Sequence, residues 1–210
     1  MKRILVPTDF SDCAGNAVDM ALQLAKKAKA EVHFLHTMYT PIEWVKLPLE
    51  KELQYPEIKA SIGHAKNELN KLEKRADKLG VKASSLLVFD SGREEIEKHA
   101  KPAKYDLLVM GSHGVKGVKE IVGSNTQKVL RYSKVPVLVV KGKAKSFEYK
   151  TILFASDFSA ESHKSFKGVQ SFAAFLGAKI HLLYVNVPHM FKETEEIDQL
   201  MAAFVKKYPK

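Results

Sequence analysis

The chain has 210 residues, with 34 Lys+Arg against 24 Asp+Glu for a net charge of +10, and it is 45% hydrophobic and 28% charged. That composition is ordinary for a globular protein and excludes a disordered chain. No stretch approaches the roughly 20 consecutive apolar residues that a membrane-spanning helix needs, so no membrane partner is expected.

The basic excess would suit nucleic acid or acidic partners. The lysines, however, are spread through the helices, and no basic run is interleaved with aromatics as a single-strand platform would be. A solvated lysine-rich surface is the better reading, and nucleic acid is not expected as a partner. Cys13 is the only cysteine, which rules out an intrachain disulfide and fits a reducing, cytoplasmic location. The N-terminus, MKRILVPTDF, meets Pro7 and Asp9 before any apolar h-region develops, so it reads as a first strand and not a signal peptide.

In chain order, residues 2–7 predict a strand. Ser11 or Asp12 can cap a helix running to about Ala30, with Val18, Ala21, Leu22, Ala25 and Ala28 along one face. Residues 31–37 predict a second strand. Pro41, Pro48 and Pro56 then make 38–56 a loop or broken helix. An amphipathic helix follows over about 57–79, ended by Gly80. Strands are predicted over 81–89, 106–110 and 135–141, and helices over 92–100 and 118–133. Pro136 at the start of the last strand suits an edge. Alternating strands and helices imply a parallel sheet with right-handed crossovers.

The strand ending Leu108-Val109-Met110 runs into GSHGVKGVKEIVGSNT, residues 111–126. A glycine-rich turn exposes backbone N–H groups without Cβ atoms in the way, and the following helix N-terminus adds its dipole, so a phosphate is the expected guest. The spacing is neither the P-loop GxxxxGK[ST] nor the dinucleotide GxGxxG. A tight strand-to-helix connection that binds nothing is the alternative.

The chain also repeats itself. Residues 2–11, KRILVPTDFS, align with 150–159, KTILFASDFS, at an offset of 148 with six of ten positions identical. Without a gap, EVHFLH at 31–36 then falls on KIHLLY at 179–184. This is a duplicated structural unit. We read residues 1–142 as a complete unit, 143–149 as a linker, and 150–210 as a partial second copy of strand, helix, strand and helix. By the repeat period a full second copy would need a chain of about 290 residues. The sequence is therefore expected to be a fragment of a longer protein, or its half-unit to be completed by another chain. Left open, that half-unit would expose Ile152, Leu153, Phe154, Leu182 and Leu183, and such a surface is expected to find cover on the first unit or in a homodimer.

ILVPTDFS, VHFLHTM, DLLVMGSHG and GSNTQKVLRYSKVPVLVV together resemble the universal stress protein family, and the duplication resembles its tandem-domain members. The resemblance implies a flavodoxin-like, adenine-nucleotide-hydrolase-like α/β fold with strand order 3-2-1-4-5. One branch of the family binds ATP through Gly-x2-Gly-x9-Gly-Ser/Thr. Gly111-Ser112-His113-Gly114 matches its start and Gly123-Ser124 its end, but eight residues separate Gly114 from Gly123, one fewer than the pattern. By position, the resemblance implies a site of Pro7, Thr8, Asp9, Thr37, Met110, Gly111, His113, Gly114, Gly123, Ser124 and Asn125. Asp9 would face the nucleotide, Thr37 would meet adenine through its backbone, Gly111 and Gly114 would approach ribose and phosphates, and Gly123, Ser124 and Asn125 would bind phosphates.

Each residue has a plainer reading. Asp9 either holds a ribose hydroxyl or a metal, or caps the first helix beside Ser11. His113 reads as an exposed loop histidine or a phosphate neutraliser, and Lys116 and Lys119 as a solvated face or phosphate contacts. His33 and His36 read as sharing one strand face with His181 as a repeat counterpart. A helix-covered face is preferred there over a metal site, for want of a second ligand pair at zinc spacing. Cys13 reads as a small buried or half-buried residue.

The expectation is an ATP-binding, nucleotide-gated interaction module of the stress response. No nucleophile, general base or metal cluster emerges beyond Asp9, so no catalytic residue is assigned and slow ATP hydrolysis with Mg2+ is the most that is expected. The alternative is a dimerisation or scaffold protein whose shortened loop has abolished binding. ATP-dependent ligation is disfavoured, because PTDFSDC stands where an SGGxDS-type loop would be.

Overall fold

The computed structural model describes residues 1–40, 43–90, 96–112, 124–143 and 148–208. The chain divides into two compact units, Met1–Lys145 and Ser146–Lys210. The first contains strands β1 (Arg3–Pro7), β2 (Glu31–Tyr39), β3 (Ala83–Asp90), β4 (Leu107–Gly111) and β5 (Val137–Val140). Its helices are α1 (Asp12–Ala28), α2 (Leu49–Glu52), α3 (Pro56–Lys78), α4 (Ile96–His99) and α5 (Ser124–Tyr132). All strand pairs are parallel, in the order β3-β2-β1-β4-β5. β5 is an edge strand, as Pro136 implied.

Local chemistry fixes the element ends. Ser11 caps α1 by accepting from Ala14 N at 3.2 Å, and Lys29 closes it in the left-handed region at φ 53°. Pro56 opens α3, where its missing N–H costs nothing, and Gly80 follows the helix at φ 70°. Strand period two sorts the core. Leu5, Leu35, Leu108 and Met110 pack with Ile96 and Ala100 from the α4 region and Val129 from α5. The opposite face carries α1 and α3. Asp106, just before β4, accepts from the backbone N–H of Lys2 and Arg3 at 2.6 and 2.9 Å, tying the start of β4 to the chain's beginning.

The second unit comprises β6 (Thr151–Ala155), α6 (Ser162–Leu176), β7 (Lys179–Leu183) and α7 (Thr194–Lys206). It repeats the first in atomic detail. Thr8 N→Leu35 O at 2.8 Å becomes Ser156 N→Leu183 O at 3.0 Å. Ala30 N→Ala25 O becomes Ala178 N→Ala173 O, both at 2.9 Å, and Lys29 in the left-handed region becomes Gly177 at φ 75°. Every pair keeps the offset of 148.

The expectation that Ile152, Leu153, Phe154, Leu182 and Leu183 would all lie open is corrected. Phe154 is buried in an aromatic cluster with Phe158, Phe166 and Phe204, against which Ile180 and Leu182 also pack. Alternation leaves only the other face open: Leu153 is 62% exposed and Leu183 38%, where their counterparts Leu5 and Leu35 are at 0% and 1%. Among the described residues no helix is long and apolar enough to cross a membrane.

Leu5→Ala is expected to destabilise the first unit by about 2–5 kcal/mol, as a filled core site does. Leu153→Ala should change stability by no more than about 0.5 kcal/mol. Chemical denaturation of the two variants checks the contrast. The two backbone N–H groups hold the Asp106 carboxyl below its ordinary value. A depressed folded pKa contributes stability above the unfolded value, near 3.9, and loses it as pH falls through the folded pKa. The stability difference between the protein and Asp106→Asn should therefore be largest near neutral pH and shrink below about pH 4, read from melts across pH.

Candidate functional site

β1 lies between β2 and β4, where the strand order reverses, and crevices at the carboxyl ends of strands at such a switch point are where open α/β sheets hold ligands. β1 stops at Pro7, level with Leu35, whereas β2 runs on through Thr37 to Tyr39 alongside β3. A notch is left beyond the end of β1. Leu35 gives its carbonyl to Thr8 N on the β1 side. Backbone polar groups of a strand alternate sides, so those of Thr37, two residues on, face the same side, where β1 has already ended. This gives a physical basis for the backbone role that the resemblance implied for Thr37.

The turn that ends β1 is built from its own side chains. Thr8 Oγ1 accepts from Phe10 N at 3.1 Å, and Asp9 Oδ1 accepts from Ser11 N at 3.1 Å and from Ser11 Oγ at 2.6 Å. Phe10 sits at φ 62°, in the left-handed region. Ser11 is thus the helix cap, and Asp9 orients it: the hydroxyl donates to the carboxylate and accepts from Ala14 N. Thr8 is buried and Asp9 is exposed at the rim.

The β4 side is held as firmly. A Cβ on Gly111 would stand 2.8 Å from Cys13 O and 3.0 Å from Cys13 Sγ, so only glycine lets the end of β4 pass the first turn of α1. Thr126 Oγ1 lies 3.1 Å from Gly111 O and 3.4 Å from Ser112 O, and donates to them, so the first turn of α5 is tied back to the end of β4. The segment between leaves and returns at one place. Sequence reasoning did not single out Thr126 or Ser112, both buried. The available signal was a hydroxyl in the first turn of a helix that follows a glycine loop.

The predicted residues therefore divide. Thr8, Asp9, Thr37 and Gly111 meet around the notch. Ser124 and Asn125 begin the helix that Thr126 anchors to β4. Pro7 and Met110 are buried, and Met110 belongs to the core on the α4 and α5 side, so neither exposes a side chain at the rim. His113, Gly114 and Gly123, with Lys116 and Lys119, lie outside the described residues. Cys13 is half-buried, with Sγ 3.8 Å from Ser112 Oγ and Val140 O.

The expectation that His33 and His36 share a face is corrected, because residues three apart on a strand point to opposite faces. His33 Nδ1 bonds Tyr105 OH at 3.0 Å, within the core on the α4 side. His36 Nδ1 bonds Thr8 O at 2.8 Å and its ring lies 4.4 Å from that of Phe10. Among the described residues no group of three or more His, Cys, Asp or Glu could hold a metal ion.

A doubly wound, five-stranded parallel sheet of order β3-β2-β1-β4-β5, with a rim notch at its switch point, defines the class as an open α/β protein. The Universal stress protein family model matches residues 1–141, and the chain belongs to that family. It is 33% identical over 156 residues to Universal stress protein MJ0577 of Methanocaldococcus jannaschii, covering 68% of this chain and 96% of that one. It is 34% identical over 146 residues to Universal stress protein YxiE of Bacillus subtilis, covering 66% and 98%. The crystal structure of a universal stress protein from Archaeoglobus fulgidus shares the fold at TM-score 0.68 and 20% identity, over 99% of this chain and 75% of that chain. Among the other structures that resemble the chain, one universal stress protein is in complex with cAMP (TM-score 0.49, 26% identity, 66% and 96% coverage) and one from Arabidopsis thaliana has AMP bound (0.48, 16%, 69% and 94%).

Gly111→Ala is expected to destabilise the protein by about 1–3 kcal/mol, because the added methyl meets backbone and not a yielding side chain. Chemical denaturation measures it.

Proposed function

We propose that this universal stress protein binds an adenine nucleotide, ATP in the first instance, in the notch beyond β1. The observation that carries the reading is the pairing of Thr37's inward-facing backbone with a glycine segment whose two ends Thr126 holds together at β4. Thr37 offers the donor–acceptor pair that a purine edge needs. The exposed carboxylate of Asp9 is placed to accept from a ribose hydroxyl. The start of α5, with Ser124 and Asn125, brings backbone N–H groups and a helix dipole toward phosphates, with Gly114, Gly123 and His113 in the loop between. Magnesium would be carried chiefly on the phosphates, as is usual for this ion with nucleotides, with the Asp9 carboxylate available at the rim.

On this reading residues 1–142 are the nucleotide-binding unit, 143–149 a linker and 150–210 a partial second repeat. Binding gates association with another protein or a second copy, in the cytoplasm, with at most slow ATP hydrolysis. A second reading is a scaffold that binds no nucleotide. The loop one residue short of the family pattern favours it, as does Gly111, whose missing Cβ is explained by Cys13 alone.

Adenine nucleotide released by acid from the purified protein, seen at 260 nm, separates the two. By calorimetry with ATP and Mg2+, Gly114→Val and Asp9→Ala should each weaken binding at least tenfold, about 1.4 kcal/mol. Equal affinity with a lower melting temperature in Asp9→Ala would leave Asp9 as the brace of the Ser11 cap and nothing more.

A further inference from the structure

On the α3 side of β2, away from Thr37, lies a hollow of about 430 Å³ lined by Phe10, His36, Met38, Ala60, Ser61, His64 and Ala65. Its size is within the range of small-molecule sites. Its floor is an aromatic pair: the Phe10 ring lies 4.4 Å from that of His36, tilted by 33°, with His64 edge-on to Phe10 at 6.4 Å.

The second unit shows what such a floor accepts. Phe158 is the repeat counterpart of Phe10, in the same left-handed turn at φ 56°, and Tyr184 is the counterpart of His36. There the helix after the second strand brings Phe204 onto Phe158, ring centroids 5.0 Å apart, and Phe158 is buried. In the first unit the corresponding helix, α3, brings only the edge of His64 toward Phe10, at 6.4 Å, with the short side chains of Ala60, Ser61 and Ala65 beside it, and Phe10 stays half-exposed. The repeat thus seals its turn phenylalanine with a phenyl ring in one copy, whereas in the other a histidine edge leaves it half-open.

The polar lining narrows the guest. Thr8 O can only accept, so His36 Nδ1 carries the proton of that 2.8 Å bond. In the tautomer with the proton on Nδ1, Nε2 is an acceptor.

We propose that this hollow binds a planar aromatic small molecule bearing an N–H or O–H donor, of indole or nucleobase type, stacked on Phe10 and donating to His36 Nε2. The site is separate from the notch, since His36 and Met38 project from the face of β2 opposite Thr37, and it does not depend on nucleotide binding.

The test uses the full chain and indole as probe, followed through the Met38 methyl and the His36 and His64 ring signals by NMR. Indole should shift all three saturably. 1-Methylindole, which fills the same space without the donor, should bind at least fivefold more weakly. Ala60→Trp, at an exposed position on the rim of the hollow, should weaken indole at least tenfold, with Ser61→Trp as the second variant should the first fail to fold. Absence of a saturable Met38 shift up to the solubility of indole would overturn the proposal, as would equal binding of the two probes or indifference to the filled hollow. A parallel ATP titration read at Thr37 and Gly111 reports on the notch alone, so failure there leaves this result standing.

Discussion

The short turn from Thr8 to Ser11 is the constraint on which the rest of the first unit depends. Phe10 is held at φ 62°, a conformation that costs a bulky residue about 1–3 kcal/mol. Three local hydrogen bonds, from Phe10 N, Ser11 N and Ser11 Oγ, hold it there. The turn ends β1 early while β2 continues, and that mismatch is what opens the notch. It starts α1 at a capped Ser11, close enough to β4 that Gly111 must lack a side chain. It also throws the Phe10 ring onto the opposite face, where it becomes the floor of the hollow.

The second unit serves as a control within the same chain. Ser156 accepts from Phe158 N at 2.9 Å, Asp157 from Ser159 N at 3.0 Å, and Phe158 has the same positive φ. Among the described residues of this unit there is no β4, glycine segment or α5. The turn therefore forms without any of the parts that would hold a phosphate. Its carboxylate is first a structural brace, and any ligand role of Asp9 is added to that. The hydrogen bonds to Asp157 also hold its carboxyl below its ordinary value, although that carboxyl is itself exposed.

Much of this was legible in the residues. Strand and helix positions followed from periodicity and from Ser11, Pro56 and Gly80, and the strand order came with the family resemblance. The left-handed Phe10 was not legible, because nothing marks a phenylalanine for φ > 0; only the recurrence of Asp-Phe-Ser at 157–159 hinted that the turn was specific. The pairing of His33 with His36 failed on parity: one residue of register moves a side chain to the other face of the sheet. Thr37 came from resemblance alone; what the fold adds is the alternation from Leu35, which turns the backbone of Thr37 toward the side where β1 has ended. Thr126 escaped because its function is a contact with Gly111 O, 15 positions away in sequence, which no local pattern encodes.

The contrast between Leu5 and Leu153 shows where the site comes from. Both are leucines in parallel strands, each paired with a histidine (His33 and His181) and followed by the same turn, yet one is sealed and the other is 62% exposed. The difference lies in the layer of β4, Ile96, Ala100 and Val129 that covers Leu5. That layer also carries Gly111 and Thr126. Core closure and the notch are thus structurally linked: the elements that bury Leu5 and Leu35 also place Gly111 and Thr126 beside the end of β1. A substitution that loosens this packing, such as Leu5→Ala, acts on the notch through β4, whereas one in the hollow acts through Phe10. The hollow and the notch share β2, where Thr37 stands between His36 and Met38, and the turn, where Asp9 and Phe10 are adjacent residues and His36 bonds Thr8 O. Coupling between a ligand on one face and a ligand on the other can pass through either, and it would be equal in both directions.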